Sequence, residues 1–367
     1  MNTITAIDGG FGNYKIAYKN GDGSIHVEHF PSVVGLGRTE LGLLATGLDG
    51  KRRQVRPFAV EFDGLKYLVG PNVHRWGRPT ERLDFQRLYE GPEVRALTYA
   101  ALAQILDPSP PSPLMGEGRG EGLSILVGFP VEILQDRPRG LAALAGLKSW
   151  LVGRHVFCVD NRPYTITVTQ VKAMAQPLGS YFLWGLNEDG QWNRPEADFI
   201  APVAVADIGF NTLDLFGIER GQVISRLTGG QSLGMHRAAE QIRRHARTAY
   251  GVELSLGQAD ELIREHVRGR DANLHHPNGT ATLNAQVQQA LDECFAGINQ
   301  FLLEHWQQGG FRYLILTGGG TEALRRALLR HWPAAILLPD PVTANVNGLA
   351  RYARRLFKSS NAPMPGA

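Results

Sequence analysis

Between residues 203 and 215 the apolar and polar positions follow the order of a strand, a tight turn and a second strand. Val203-Ala204-Val205-Ala206 runs into Asp207, Gly209 follows two places on, Asn211 and Thr212 form a polar tip, and Leu213-Asp214-Leu215 resumes alternation. The N-terminus repeats this pattern. Asp8 superposes on Asp207, Gly10 on Gly209, Phe11 on Phe210, Asn13 on Thr212 and Ile16 on Leu215. A unit repeated once at this spacing predicts two related domains rather than a solenoid. Further along, strand patterns over 24–30, 55–62, 66–69, 124–129, 154–159, 164–171, 222–227, 313–316 and 335–338 alternate with helix patterns. The helices are expected over 98–106 (beginning near Pro92), 139–151, from Pro177 through Trp184, and over 233–250. Others follow from a capped start at Ser255, over 283–307, from Glu322, and over 345–357, with the last ten residues frayed. Pro177 suits a first helical turn, which puts Gln176 at a strand-to-helix junction. Strands and helices alternate through both halves, so the predicted class is α/β.

Composition narrows the picture modestly. A chain of 367 residues favours two domains, and 43% apolar with 20% charged residues is ordinary for a globular protein. A net charge of +3 is too small to imply nucleic-acid binding. Cys158 and Cys294 form no C-x-x-C, which argues against a disulfide framework or zinc site and fits a reducing cytoplasm. The chain opens on a strand pattern rather than a secretory signal, and no run of about 18 apolar residues predicts a membrane span. Residues 107–122, rich in Pro and Gly, read as a flexible surface insertion of unassigned role. His275-His276 sits among turn residues and reads as an exposed loop rather than a metal site. Arg325, Arg326, Arg330, Arg351, Arg354 and Arg355 give two helices a basic face, read as solvated rather than as a stripe for direct DNA contact.

The two hairpins carry the candidate chemistry. A tight turn leaves backbone N–H groups unpaired at its tip, and glycine lets an anion approach them closely. Asp8 and Asp207 would then stand beside a phosphate, a repulsive placement unless Mg²⁺ lies between. That cation prefers oxygen ligands and keeps several of its waters. A phosphate held between both hairpins would meet Lys15, two aspartates and two sets of backbone donors.

Five motifs in order resemble those of the actin, sugar-kinase and heat-shock-protein ATPase superfamily, and most of all the plasmid-segregation actins of the ParM/StbA type. They are Ile7-Asp8-Gly9-Gly10-Phe11-Gly12-Asn13-Tyr14-Lys15, Gln176-Pro177-Leu178-Gly179, the stretch from Asp207 to Asp214, Leu316-Thr317-Gly318-Gly319-Gly320, and Ala344-Asn345-Val346-Asn347-Gly348-Leu349. The resemblance implies two actin-like (ribonuclease H-like) domains flanking a nucleotide cleft. Residues 1–175 plus 345–367 would form the first, with an inserted subdomain about 28–90; residues 176–344 would form the second, with one about 230–282. It implies a slow Mg²⁺-dependent ATPase, with GTP as the alternative nucleotide, and a cytoplasmic self-assembling filament joined to DNA through an adaptor protein. Asp8 and Asp207 would hold Mg²⁺ largely through water and help place the attacking water, which Gln176 would orient. Lys15 would bridge the β- and γ-phosphates, with the first-hairpin backbone at Gly10, Phe11, Gly12 and Asn13 alongside. Thr212 and the backbone of Gly209, Phe210 and Asn211 would grip the terminal phosphate, and Gly318, Gly319 and Gly320, followed by Thr321, would pass beneath the adenosine. Glu240 and Arg243 lie on a helix that could reach the base. Two departures stand out: Phe11-Gly12 occupies the tip where relatives often have Ser or Thr, and Gln176 stands where ParM-like proteins tend to have Glu. An amide can orient water but cannot act as a full base, which predicts slow hydrolysis. The rival readings are a nucleotide-binding scaffold that does not polymerise and a small-molecule kinase of the same superfamily.

Overall fold

The computed structural model describes residues 3–19, 23–37, 55–106, 122–306 and 310–358. The Pro/Gly-rich stretch 107–122, apart from its last residue, and the final nine residues lie outside them. The fold is mixed α/β with two large sheets. In the first, ten strands run in the order Ile25–Pro31, Asn13–Lys19, Thr3–Gly9, Leu123–Phe129, Arg162–Ala175, Gly153–Val159, Phe58–Phe62, Leu65–Val69, Val34–Gly37 and Gly77–Thr80. The second follows the order Gln222–Val223, Leu213–Glu219, Val203–Ile208, Tyr313–Thr317 and Ile336–Leu337, with Gly229–Gln231 also on Leu213–Glu219.

The repeat seen in the sequence is a structural duplication. Thr3–Gly9 pairs antiparallel with Asn13–Lys19 and parallel with Leu123–Phe129; Val203–Ile208 pairs antiparallel with Leu213–Glu219 and parallel with Tyr313–Thr317. The registers agree: Asp8 faces Lys15, and Asp207 faces Asp214. Every residue of Val203–Ile208 is buried, as expected of a central strand covered on both faces.

Each sheet has its own core. In the first, Tyr99, Phe157 and Tyr164 stack, with Tyr99 and Phe157 centroids 4.3 Å apart, and Phe62 meets Tyr99 edge-on. In the second, helices His236–Tyr250 and Asn284–Trp306 pack with Ile242, Leu291, Ile298 and Trp306 against Ala204, Ala206 and Ile208 of the sheet. Helices Gln176–Gly185 and Ala344–Lys358 cross where the two bodies join. A Cβ on Gly179 would run into the Asn345 carbonyl, and one on Gly348 into the Gly179 carbonyl, so only glycines allow this backbone-to-backbone approach.

Several elements differ from the expected ones. Strands Phe58–Phe62 and Gly153–Val159 pair through Val60 with Val159 and Glu61 with Cys158, so the strands described in 28–90 lie in the first sheet. The strand expected over 222–227 stops at Val223, and a 3-10 turn, Ser225–Leu227, brings Leu227 down onto Gly217. His275 and His276 are in a strand, Asn273–His276, which pairs with Gly279–Thr282 around the turn at Pro277-Asn278. The helix expected from Glu322 begins at Gly319 and resumes at Arg325 after a break at Leu324.

Candidate functional site

A cavity of about 450 Å³ opens between the two hairpins. Asp8 is almost wholly buried at the end of its strand. Its Oδ2 accepts from Lys15 Nζ at 2.7 Å, and its Oδ1 accepts from Gln176 Nε2 at 2.7 Å. A carboxylate only accepts, so this contact turns the amide nitrogen toward Asp8 and leaves Oε1 as the acceptor on the other side. Asp207 faces the same cavity from the second sheet, and its Oδ2 accepts from Asn345 Nδ2 at 2.6 Å. Burial, and after it the nearby Asp8 charge, push the Asp207 carboxyl up to about 6, against the opposing pull of Lys15 and Asn345. Asp214 is pushed up to about 7 by burial and by Asp207, although Thr212 Oγ1 and Val131 N both donate to it at 2.7 Å.

The hairpin tips differ in how they are held. In the first, Ser32 Oγ donates to the Gly10 carbonyl and Ser32 N to the Gly12 carbonyl, while the Phe11 ring meets Phe85 edge-on at 5.9 Å. Phe11 therefore anchors the turn, although its residue also lines the cavity. In the second, the carbonyls of Gly209 and Phe210 accept from Met235 N and His236 N at the start of helix His236–Tyr250. Across a trans peptide C=O and N–H point in opposite directions. The N–H groups of Phe210 and Asn211 thus point away from those two donors, on residues that line the cavity.

Of the residues expected at the site, Asp8, Gly10, Phe11, Gly12, Asn13, Lys15, Gln176, Asp207, Gly209, Phe210, Asn211, Thr212, Gly318, Gly319 and Gly320 all line this one cavity. The two polar side chains at the second tip already have partners. The Thr212 hydroxyl is committed to Asp214, and the Asn211 amide donates to the Leu83 carbonyl at 3.1 Å. Thr321 is fully buried, donates to the Thr317 carbonyl, and does not line the cavity. Among the glycines, Gly318 has φ +88 and is pressed against Asp207, whereas a Cβ on Gly319 would meet nothing within 4 Å. Glu240 and Arg243 do not line the cavity either. Arg243 pairs with Glu240 and Glu81 and donates to the Leu254 carbonyl.

The far wall comes instead from helix Leu256–Val267 and its end: Asp260, Ile263, Arg264, Val267 and Arg268. Asp260 and Arg264 are paired at 2.7 Å. The spacing 260, 264, 268 with 263 and 267 marks one helical face, a pattern present in the sequence. Asn345 at Asp207 was also missed as a site residue, since only the fold brings together positions 138 apart.

The donor set near the tips is oxygen: two carboxylates, from different sheets. This fits a hard cation whose shell is completed by water and phosphate oxygens. No group of three or more His, Cys, Asp or Glu that could hold a metal alone occurs among the described residues. No helix among them is long and apolar enough to cross a membrane.

Residues 6–179 match the family model described as actin like proteins N terminal domain, and residues 205–330 the model described as archaeal actin homologue MreB-like, C-terminal. No match is found among curated proteins. Solved structures do resemble it. A 15-stranded ParM filament from Clostridium botulinum is 17% identical, with a TM-score of 0.72 over 97% of this chain and 100% of that one. The archaeal actin homologue Ta0583 in complex with ADP is 15% identical, with a TM-score of 0.66 over 97% and 99%. Bacillus thuringiensis ParM with AMPPNP is 14% identical, with a TM-score of 0.62 over 97% and 99%. At these identities the likeness to solved structures is one of fold.

Proposed function

We propose, from the premise that this chain belongs to the actin-like proteins, that it is a slow Mg²⁺-dependent ATPase whose nucleotide state governs its assembly into filaments. One observation carries the reading: Asp8 and Asp207, from different sheets, converge on a single cavity with both hairpin tips and Gly318–Gly320. The proposed domain division is 1–175 plus 345–367 and 176–344. Lys15 and the tip N–H groups bind the β- and γ-phosphates. Asp8 and Asp207 would hold Mg²⁺, largely through water, and the ion would offset phosphate charge beside the two carboxylates. Gln176, oriented by Asp8, presents Oε1 to the attacking water, which orients it without removing its proton fully. Gly319 leaves room for the adenosine. Filaments of this kind would move or position DNA through a DNA-bound adaptor. The engagement of Arg351 and Arg354 with partners in their own chain favours an adaptor over direct DNA contact.

A scaffold that binds nucleotide without turnover is the second reading, favoured by the buried Phe11 at a tip where a hydroxyl would otherwise reach the phosphate. Sedimentation and electron microscopy with and without Mg·ATP, alongside phosphate release, separate the two. Nucleotide-dependent pelleting with slow release is expected. Binding without pelleting or release would establish the scaffold. Asp207→Ala should abolish release in a folded protein; turnover at the parental rate would overturn the site assignment.

A further inference from the structure

Two buried polar side chains behind the cavity have no role in the reading above. Ser180 lies on helix Gln176–Gly185 and Asn345 in the first turn of helix Ala344–Lys358. A buried hydroxyl and a buried amide are costly unless paired, so their partners explain their presence. Asn345 Nδ2 donates to Asp207 Oδ2 at 2.6 Å, and Ser180 Oγ donates to Asn345 Oδ1 at 2.6 Å. The amide orientation follows from those partners, because a carboxylate oxygen takes the NH₂ and the amide oxygen takes the hydroxyl hydrogen. Thr317 Oγ1 lies 2.8 Å from Ser180 Oγ, and its own hydroxyl donates to the Pro341 carbonyl.

The placement of these residues matters more than the bonds singly. Gln176, one turn before Ser180 on the same helix, holds Asp8. One helix thus reaches the first carboxylate directly and the second through Ser180 and Asn345. Asn345 belongs to the other helix of the pair, beside the crossing of Gly179 and Gly348.

We propose that Asn345 is a positioning residue for Asp207 and Ser180 a positioning residue for Asn345, so that the crossing of the two helices sets the orientation of the Asp207 carboxylate. This rests on the Mg·ATPase reading. The test uses the full chain: kcat and KM for Mg·ATP by phosphate release, binding of a fluorescent ATP analogue, and thermal melts, for Ser180→Ala, Asn345→Ala and the double variant. Asn345→Ala should lower kcat about tenfold with KM moved less than about twofold, because the interaction places a catalytic group rather than binding substrate. Ser180→Ala should lower kcat about threefold, and the double variant should be no slower than Asn345→Ala, since both act through one link. Multiplying effects, or a raised KM with kcat intact, would overturn the proposal. Ser180→Ala removes a single oxygen, so parental kcat in that variant overturns it even if Asn345→Ala folds poorly. A parental protein that binds analogue but does not turn over, or binds none, removes the ATPase reading and this inference together; parental turnover with unaffected variants removes the inference alone.

Discussion

At the scale of single residues, the buried carboxyls set a pH dependence. Asp207 and Asp214 ionise near 3.8 in the unfolded chain but near about 6 and about 7 when folded, so between those values the folded chain holds more protons. Their contribution to stability is therefore full below the unfolded value and lost as pH rises through the folded ones. Without nucleotide, the melting temperature should fall between about pH 4 and pH 7, and Asp214→Asn should flatten that fall. An equally steep fall in Asp214→Asn would remove Asp214 as its source. The three adjacent glycines give a second test. Gly319→Ala adds a methyl facing open cavity and should leave the melt unchanged while weakening nucleotide binding. Gly318→Ala, at φ +88 against Asp207, should lower the melting temperature itself. Equal melts for the two would show that the loop does not have this conformation. Asp8, Lys15 and Asp207 were legible because a repeated hairpin pattern marks them. Ser180 was not, and Asn345 only as part of a motif, because their meaning lies in partners 165 and 138 positions away.

At the scale of elements, local signals read true where a local cause sets the element. Ser255 and Gln258 form a full capping box, and the helix start was visible from those residues. The strand expected over 222–227 failed because Leu227 is drawn in to pack on Gly217, a tertiary demand that local β-propensity does not report. Phe11 belongs here too: at a turn tip it reads as a lost phosphate contact, yet its ring packs on Phe85. Phe11→Ser should thus cost about 3 kcal/mol of stability, seen as a lower denaturant midpoint, rather than raise kcat. The crossing helices make the sharpest case at this scale. Gly348→Ala places a methyl against the Gly179 carbonyl with no side chain able to yield, and should cost about 3 kcal/mol by chemical denaturation. A cost below about 1 kcal/mol would mean that the helices cross with more room than this geometry allows.

At the scale of the whole molecule, the sequence repeat foretold two bodies and a cleft, but not how the cleft is held shut. That depends on contacts spanning it, which no periodicity encodes. Glu81, just beyond the last strand of the first sheet, accepts from Leu256 N at 2.5 Å and pairs with Arg243 at 3.5 Å, both across the cleft. Asn211 donates to the Leu83 carbonyl nearby, and Gly12 lies close against Phe210. The Glu81–Arg243 pair is partly exposed and screened by salt, so it counts for little. The bond to Leu256 N is stronger, since a carboxylate at a helix start satisfies an otherwise orphaned N–H for about 1 kcal/mol. If opening of the cleft limits nucleotide release, Glu81→Ala should speed release by about fivefold. Stopped-flow displacement of a fluorescent ADP analogue would measure this. Glu240→Ala also removes a partner of Arg243, but on that arginine's own helix, and should leave the rate unchanged. Parental release from Glu81→Ala would mean that the tips, at Gly12 against Phe210 and Asn211 on Leu83, hold the cleft without it. Faster release from both variants would instead make Arg243 itself the latch.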